Sequence, residues 1–170
     1  MKRSYWSVAL LVAVSAATRV GAQGSAVVSS EFNVPRGQTI VEMGKMPLDQ
    51  NTRLGAFYSY PGHVQQAPAS ELTMHIVRSA ATWAFAYDHT VMLVLDDKTR
   101  LPFAEAKRAT SVGEGYALEQ IFFAVSRDQA SQIAQAHKVE MKVGSSAFVW
   151  SDSLQHAFRA MVTSADASTK

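Results

Sequence analysis

Five histidines, at positions 63, 75, 89, 137 and 156, are the side chains of this 170-residue sequence best suited to holding a metal or moving a proton. A zinc site needs several such ligands converging at tetrahedral geometry. No two of these histidines stand at the i, i+4 spacing that pairs ligands on one helix face, and the chain contains no H-E-x-x-H. The densest set is Asp88, His89, Asp96 and Asp97, which two consecutive turns are expected to bring to one end of a sheet. Acids and histidines in turns are far more often loop residues than ligands, so no metal ligand is assigned. Hydrolysis has less to build on: G-x-S-x-G is missing, and with no cysteine there is no thiol nucleophile. A carboxylate pair would have to come from Glu105, Glu114 and Glu119 around one polar stretch. Glu119 is expected at an edge or half-exposed position. Should both faces of its strand be covered, its carboxylate needs a partner, with Arg100 or Arg108 in range. No catalytic residue and no cofactor follow from these patterns.

Nucleic-acid and nucleotide chemistry are equally thin. Gly113-Glu114-Gly115 lacks the rest of a phosphate-binding fingerprint, and Lys107-Arg108 is a two-residue basic spot. Aromatic residues offer more. Phe57, Tyr58, Tyr60, Trp83, Phe85 and Tyr87 fall in strand-like segments, and core packing accounts for most of them. Were Tyr58, Tyr60 and Trp83 to share an exposed face, they would form a platform for a ligand or partner strand. Tyr58, Tyr60, Trp83 and His89 are therefore the interaction candidates.

The elements that must position these residues are mostly strands. Residues 23–52 are polar and broken by Pro35, Gly37, Gly44 and Pro47, which reads as an extended N-terminal arm with one strand-like piece at Thr39–Met43. A single β-rich domain is expected over 53–164, followed by a disordered tail at 165–170. Leu54–Tyr60 stops at Pro61-Gly62, and Leu72, Met74 and Ile76 alternate with polar or smaller residues. Trp83, Phe85 and Tyr87 suggest one aromatic strand face. Val91–Leu95 reads as a strand buried on both faces, and Arg100–Phe103 follows Asp96-Asp97-Lys98 with Pro102 confining it to an edge. Residues 104–115 form a loop or weak edge strand, and Tyr116–Val125 a long strand.

The period then changes. Ser126 and Gln129 have capping-box spacing, and Ala130, Ile133, Ala134 and His137 fall at helical intervals. Val139, Met141 and Val143 alternate again, Gly144-Ser145 makes a two-residue hairpin turn, and Ser146–Trp150 returns. Ser151 or Asp152 caps a last helix with Leu154, Ala157, Phe158, Met161 and Val162 on one face. The expected class is α+β: a mostly antiparallel β-sandwich or curved sheet with two C-terminal helices. A pure β-sandwich with helices as surface additions is the alternative.

The first 22 residues read as an address and not as part of the domain. Lys2 and Arg3 precede an apolar run from Ser7 to Ala17, and Val20-Gly21-Ala22 places small residues at a cleavage site before Gln23, with Ala17 as the second choice. The run is too short for a bilayer span, which needs roughly 20 apolar residues, and no span is expected after cleavage. The precursor carries 16 Lys+Arg against 14 Asp+Glu; losing Lys2, Arg3 and Arg19 leaves 13 against 14, a mature chain of net −1. The basic character therefore belongs to the leader and gives no argument for nucleic acid. A cysteine-free exported chain suits the bacterial periplasm or secretion more than a eukaryotic secretory route.

Val125-Ser126, Ile133-Ala134 with Ala136, Val139 to Ser145, Phe148 with Trp150-Ser151, and Leu154 to Val162 together resemble a pattern of small exported bacterial proteins of unknown function. The resemblance spans the C-terminal third. It implies envelope localisation and a strand–helix–hairpin–helix order, with no activity and no functional residue. Three functions are thus expected in order: a non-catalytic exported binding or interaction domain meeting an envelope protein or cell-wall material; a small metal-dependent or hydrolytic enzyme using His75 or His89 with Asp96 or Asp97; and an accessory subunit of an envelope or secretion assembly, which an exposed edge strand at Thr39–Met43 or Arg100–Phe103 would favour.

Overall fold

A computed structural model describes residues 27–103 and 106–167. The leader 1–22 and its cleavage residues Ala22 and Gln23 lie outside the described residues. Ten strands and two helices follow one another: β1 (Val28–Asn33), β2 (Gln38–Pro47), β3 (Thr52–Pro61), β4 (Glu71–Ala80), β5 (Val91–Leu95), β6 (Thr99–Phe103), β7 (Lys107–Gly113), β8 (Tyr116–Ser126), α1 (Arg127–Gln135), β9 (Val139–Val143), β10 (Ser146–Val149) and α2 (Asp152–Asp166). They form a six-stranded sheet, β1-β2-β3-β4-β8-β7, and a four-stranded sheet, β10-β9-β5-β6. All ladders between these strands are antiparallel. The expected α+β class with mostly antiparallel sheets is what the chain adopts.

The period of two decides which side chains meet. Leu54 and Ala56 of β3, Leu72, Met74 and Ile76 of β4, and Ile121, Phe123 and Val125 of β8 line the inner face of the larger sheet. Val91, Leu93 and Leu95 of β5 with Val139, Met141 and Val143 of β9 line the inner face of the smaller one. These residues share one core with Leu154, Phe158 and Met161 of α2. The Phe103 and Phe123 rings, 4.8 Å apart, join the sheets. Each such large side chain contributes about 1.5–3 kcal/mol on burial, and without disulfides that core carries the stability. α2 lies against β1, β2 and β3, and α1 against β4 and β8. Both helices start as the capping residues require: Ser126 accepts from the Gln129 N–H while Gln129 reaches back to the Ser126 N–H, and Ser151 accepts from the Leu154 N–H.

Several expectations are corrected. Residues 28–47 are not an arm: β1 and β2 are integral to the larger sheet, and Val41 and Met43 are buried. Their polar composition reflects outer-face positions, and the glycine pair Gly37 and Gly44 marks a turn and the irregularity between Met43 and Met46. Thr39–Met43 is therefore an interior strand, whereas Arg100–Phe103 does lie on an edge. Residues 81–90 contain no strand, despite the alternating aromatics. Val91–Leu95 is buried on one face only, with Met92 and Val94 half-exposed on the other, because nothing among the described residues covers the outer side of the smaller sheet. Ala165 and Asp166 belong to α2 and not to a tail, with Ala165 buried.

Candidate functional site

Tyr58 and Tyr60 stand two residues apart on β3 and so share its inner face. Just beyond them the strand ends at Pro61-Gly62, where Gly62 takes φ +72°. This turn is tied to the β1–β2 connection: the Gly62 N–H donates to Gly37 O at 3.0 Å and the Thr39 hydroxyl to Gly62 O at 2.6 Å. His63 then stacks on Phe32 of β1, ring centroids 3.7 Å apart. The following loop folds over the end of α2 through Gln65, which is 9 % exposed. Its amide N–H₂ donates to Ala165 O at 2.9 Å and Ala67 O at 3.2 Å, and its oxygen accepts from the Tyr58 hydroxyl at 3.1 Å. Ser164 of α2 lies 3.0 Å from the same phenol oxygen. With Tyr58 donating to Gln65 and accepting from Ser164, every polar atom of that trio is satisfied. Burial pushes the Tyr58 phenol above its ordinary range, partly offset by Ser164.

Beside this network lies a cleft of about 890 Å³, walled by Val28 and Ser30 of β1, Tyr58 and Tyr60, His63, Val64 and the α2 residues Ala160 and Ser164. It is open because α2 presents only small side chains there, with Ala160 and Ser164 one turn apart, opposite a β1 that offers valine and serine. A second hollow of about 700 Å³ shares Tyr58, Tyr60, Val64 and Gln65 and continues under the 61–70 loop. Among the described residues, no Asp, Glu, Lys or Arg is in either wall. Ser164 is engaged by Tyr58, and the wall offers hydrogen bonds and aromatic surface.

Trp83 does not join the tyrosines. Thr52 of β3 pairs with Arg78 of β4, and Trp83 follows β4 at that end of the sheet, whereas Tyr60 lies at the other end beside Thr39. The 81–90 loop there is organised by Glu119, which is fully buried and not half-exposed as expected. Its carboxylate accepts four hydrogen bonds: from the Ala84 N–H at 2.8 Å, the Phe85 N–H at 2.9 Å, Arg78 at 3.2 Å and Arg108 at 3.2 Å. Arg108 is the expected partner; Arg78 was not foreseen, and Arg100 lies on β6 of the other sheet. Burial opposes ionisation of Glu119, but the two backbone N–H groups and Arg108 outweigh it and hold the carboxyl below its ordinary range. By capturing the N–H groups of Ala84 and Phe85, Glu119 takes the place of a strand ladder. Phe85 is thereby buried, while Trp83 packs over Arg108 at 5.3 Å and stays partly exposed and Tyr87 is fully exposed.

The expected cluster of turn acids is not assembled. Asp88 and His89 precede β5 and Asp96 and Asp97 follow it, so one extended strand of five residues, roughly 16 Å at 3.3 Å per residue, separates the two turns. Asp88 caps its own turn by accepting from the Thr90 N–H and hydroxyl, contacts that hold its carboxyl below the ordinary range. Asp96 accepts from the N–H groups of His137 and Lys138, and Asp97 pairs with the Lys138 ammonium at 2.8 Å. His75 lies on the outer face of the larger sheet, stacked on Phe122 at 4.1 Å and bonded to Gln120 at 3.0 Å. Burial lowers its proton affinity, with Gln120 partly offsetting. Among the described residues no three of His, Asp or Glu converge as a metal site.

Of the sequence candidates, then, the structure brings together Tyr58 and Tyr60, with Tyr58 buried and not part of an exposed platform, and sends Trp83 and His89 elsewhere. His63, weighed only as a metal ligand, lines the cleft, and Gln65 and Ser164 carried no signal. Pro61-Gly62 was a legible signal that the chain turns beside the tyrosines, but Gln65 and Ser164 are 99 residues apart in sequence and carry no motif. No family model matches this chain, and comparison with curated proteins and with solved structures found no match.

Proposed function

We propose that this chain is a non-catalytic binding or interaction domain exported to the bacterial envelope, in the periplasm or secreted, and that the Tyr58–Tyr60 cleft is its site. The cleft itself carries the reading. Its volume of about 890 Å³ lies in the range of sites that enclose small ligands or side chains. Its aromatic and hydroxyl lining holds no Asp, Glu, Lys or Arg among the described residues, and the Gln65–Tyr58–Ser164 network fixes its shape. Such a wall supports recognition through shape, aromatic surface and hydrogen bonds. The partner is another envelope protein or cell-wall material, and neither nucleic acid nor a membrane span enters the reading. Among the described residues no helix is long and apolar enough to cross a membrane. Export rests on the leader at 1–22.

A role as an accessory subunit of an envelope or secretion assembly is favoured by one further observation, that β1 beside the cleft is an edge strand unpaired on its outer side among the described residues. The metal-dependent or hydrolytic alternative has no comparable support, since His75, His89, Asp96 and Asp97 occupy separate places.

The test is photo-crosslinking in a bacterial host, with the reactive group in place of Tyr60 or, as control, of exposed His156 on α2. The expected result is a mature chain starting at Gln23 in the envelope fraction, with a discrete adduct from position 60 and none from 156. A chain retaining Met1 in the cytoplasm would overturn export, and equal labelling from both positions would overturn the cleft.

A further inference from the structure

The open edges of the two sheets are not equally protected. Prolines, lysines, short strands and bulges blunt edges against pairing with other chains. β6 contains Pro102, β10 has only four residues, and β7 opens with Lys107-Arg108. β1 has no proline, lysine or bulge and carries one charge, Glu31: it is Val-Ser-Ser-Glu-Phe-Asn, paired without interruption to β2 from Val28↔Met43 to Asn33↔Gln38. Its two faces also differ. Val28, Ser30 and Phe32 share the inner face, where Val28 and Ser30 border the cleft and Phe32 stacks on His63. On the outer face, Ser29, Glu31 and Asn33 surround a shallow hollow of about 170 Å³ with Ile40 and Glu42 of β2. Both carboxylates are exposed and without an ion-pair partner among the described residues.

We propose that β1 receives an extended strand from a protein partner, one whose alternate side chains are apolar, filling the cleft, and basic, facing Glu31, with the exposed Glu42 one strand further in. The proposal deepens the binding reading above and rests on it. A strand added to an edge supplies its own ladder of backbone hydrogen bonds, and its side chains alternate between faces with period two. Every second residue therefore enters the cleft between β1 and α2. The intervening residues meet the outer face, where directly opposed Cβ atoms lie about 5 Å apart and opposite charges attract. A second copy of this chain is a poorer occupant, because antiparallel pairing of β1 with itself brings Glu31 toward its own counterpart. A saccharide would use the cleft but leave the backbone edge unpaired.

The chain beginning at Gln23 is titrated with a short fluorescent peptide in which lysine alternates with valine and phenylalanine. Two analogues accompany it, one with glutamate for lysine and one with a central proline. Hydrogen exchange is followed at Val28–Asn33. One new cross-strand ion pair at Glu31 and the intact ladder are expected to give the lysine peptide roughly fivefold tighter binding than either analogue, with slowed exchange along β1. The exposed substitution Glu31→Lys is expected to weaken or reverse the preference between the lysine and glutamate peptides. Equal binding of those two peptides, no binding of either, or an unchanged preference in Glu31→Lys would overturn the proposal. Dimerisation through β1 would do the same. Should a soluble trimer of N-acetylglucosamine perturb Tyr60 without protecting β1, strand addition fails while the cleft stands as a binding site.

Discussion

Glu119 is the residue on which most of one end of the molecule depends. Each carboxylate oxygen accepts one backbone N–H and one guanidinium N–H, so its acceptor capacity is used in full. Replacing it by glutamine puts an N–H₂ where two donors already point, and leaves Arg78 and Arg108 without their shared counter-charge. Glu119→Gln is therefore expected to destabilise the fold by about 3–5 kcal/mol, read from urea unfolding at neutral pH, and to raise amide exchange through 81–90. A loss under about 1 kcal/mol would sink the account. The pH dependence has a definite sign. Because the folded carboxyl is held below its ordinary value of 4.5, the unfolded chain takes up the proton first. Glu119 thus contributes stability above that value, and the contribution is lost as pH falls through the folded one. Glu119→Gln should flatten that part of the acid limb. The sequence favoured an edge or half-exposed place for Glu119 and named Arg100 or Arg108 as partners should it be buried. That ranking fails because burial depends on Phe85, Arg78 and Arg108, three segments that meet only in the folded chain.

At the scale of elements, local rules were readable wherever a backbone signal and a hydrophobic period agreed. The Ser126–Gln129 capping box, the helix at 152–166 and the Gly144-Ser145 hairpin all lie where their residues indicated. The 81–90 segment was misread because aromatic alternation implied a strand, while its backbone donors are taken by a distant carboxylate. That loop and the β9–β10 turn support one another. Gly144 has φ +53°, its N–H donates to Thr90 O at 2.9 Å, and a Cβ there would run into the Asp88 carbonyl. Gly144→Ala therefore combines a positive-φ penalty with a backbone collision. The expected loss is more than about 1 kcal/mol, together with faster exchange at Thr90 and Val91. Ser145→Ala, at the neighbouring turn position, serves as the control and should stay within about 0.5 kcal/mol of the parent.

For the whole molecule, the sequence conveyed class but not closure. Alternating strands and two late helices imply α+β, yet nothing local says that residues 28–47 complete the same sheet as β8. Their membership is long-range, through Met43↔Ala56 and Val41↔Tyr58 pairing and through α2 packed beneath β1, β2 and β3. Shortening the chain decides whether this region is an appendage or part of the fold. Starting at Gln23 leaves every described strand intact, so a single cooperative unfolding transition is expected. Starting at Thr52 removes Val41 and Met43 from the core, uncovers the apolar face of α2, and turns β3 into an unprotected edge. Two buried side chains of this size represent about 3–6 kcal/mol, comparable with the net stability of a small domain, about 5–15 kcal/mol. The shorter chain should therefore aggregate or lose its cooperative transition, with Tyr58 becoming accessible to iodination. If it instead unfolds in one sharp step near the parent midpoint, β1 and β2 are an arm after all, and the cleft they wall is not part of the stable molecule.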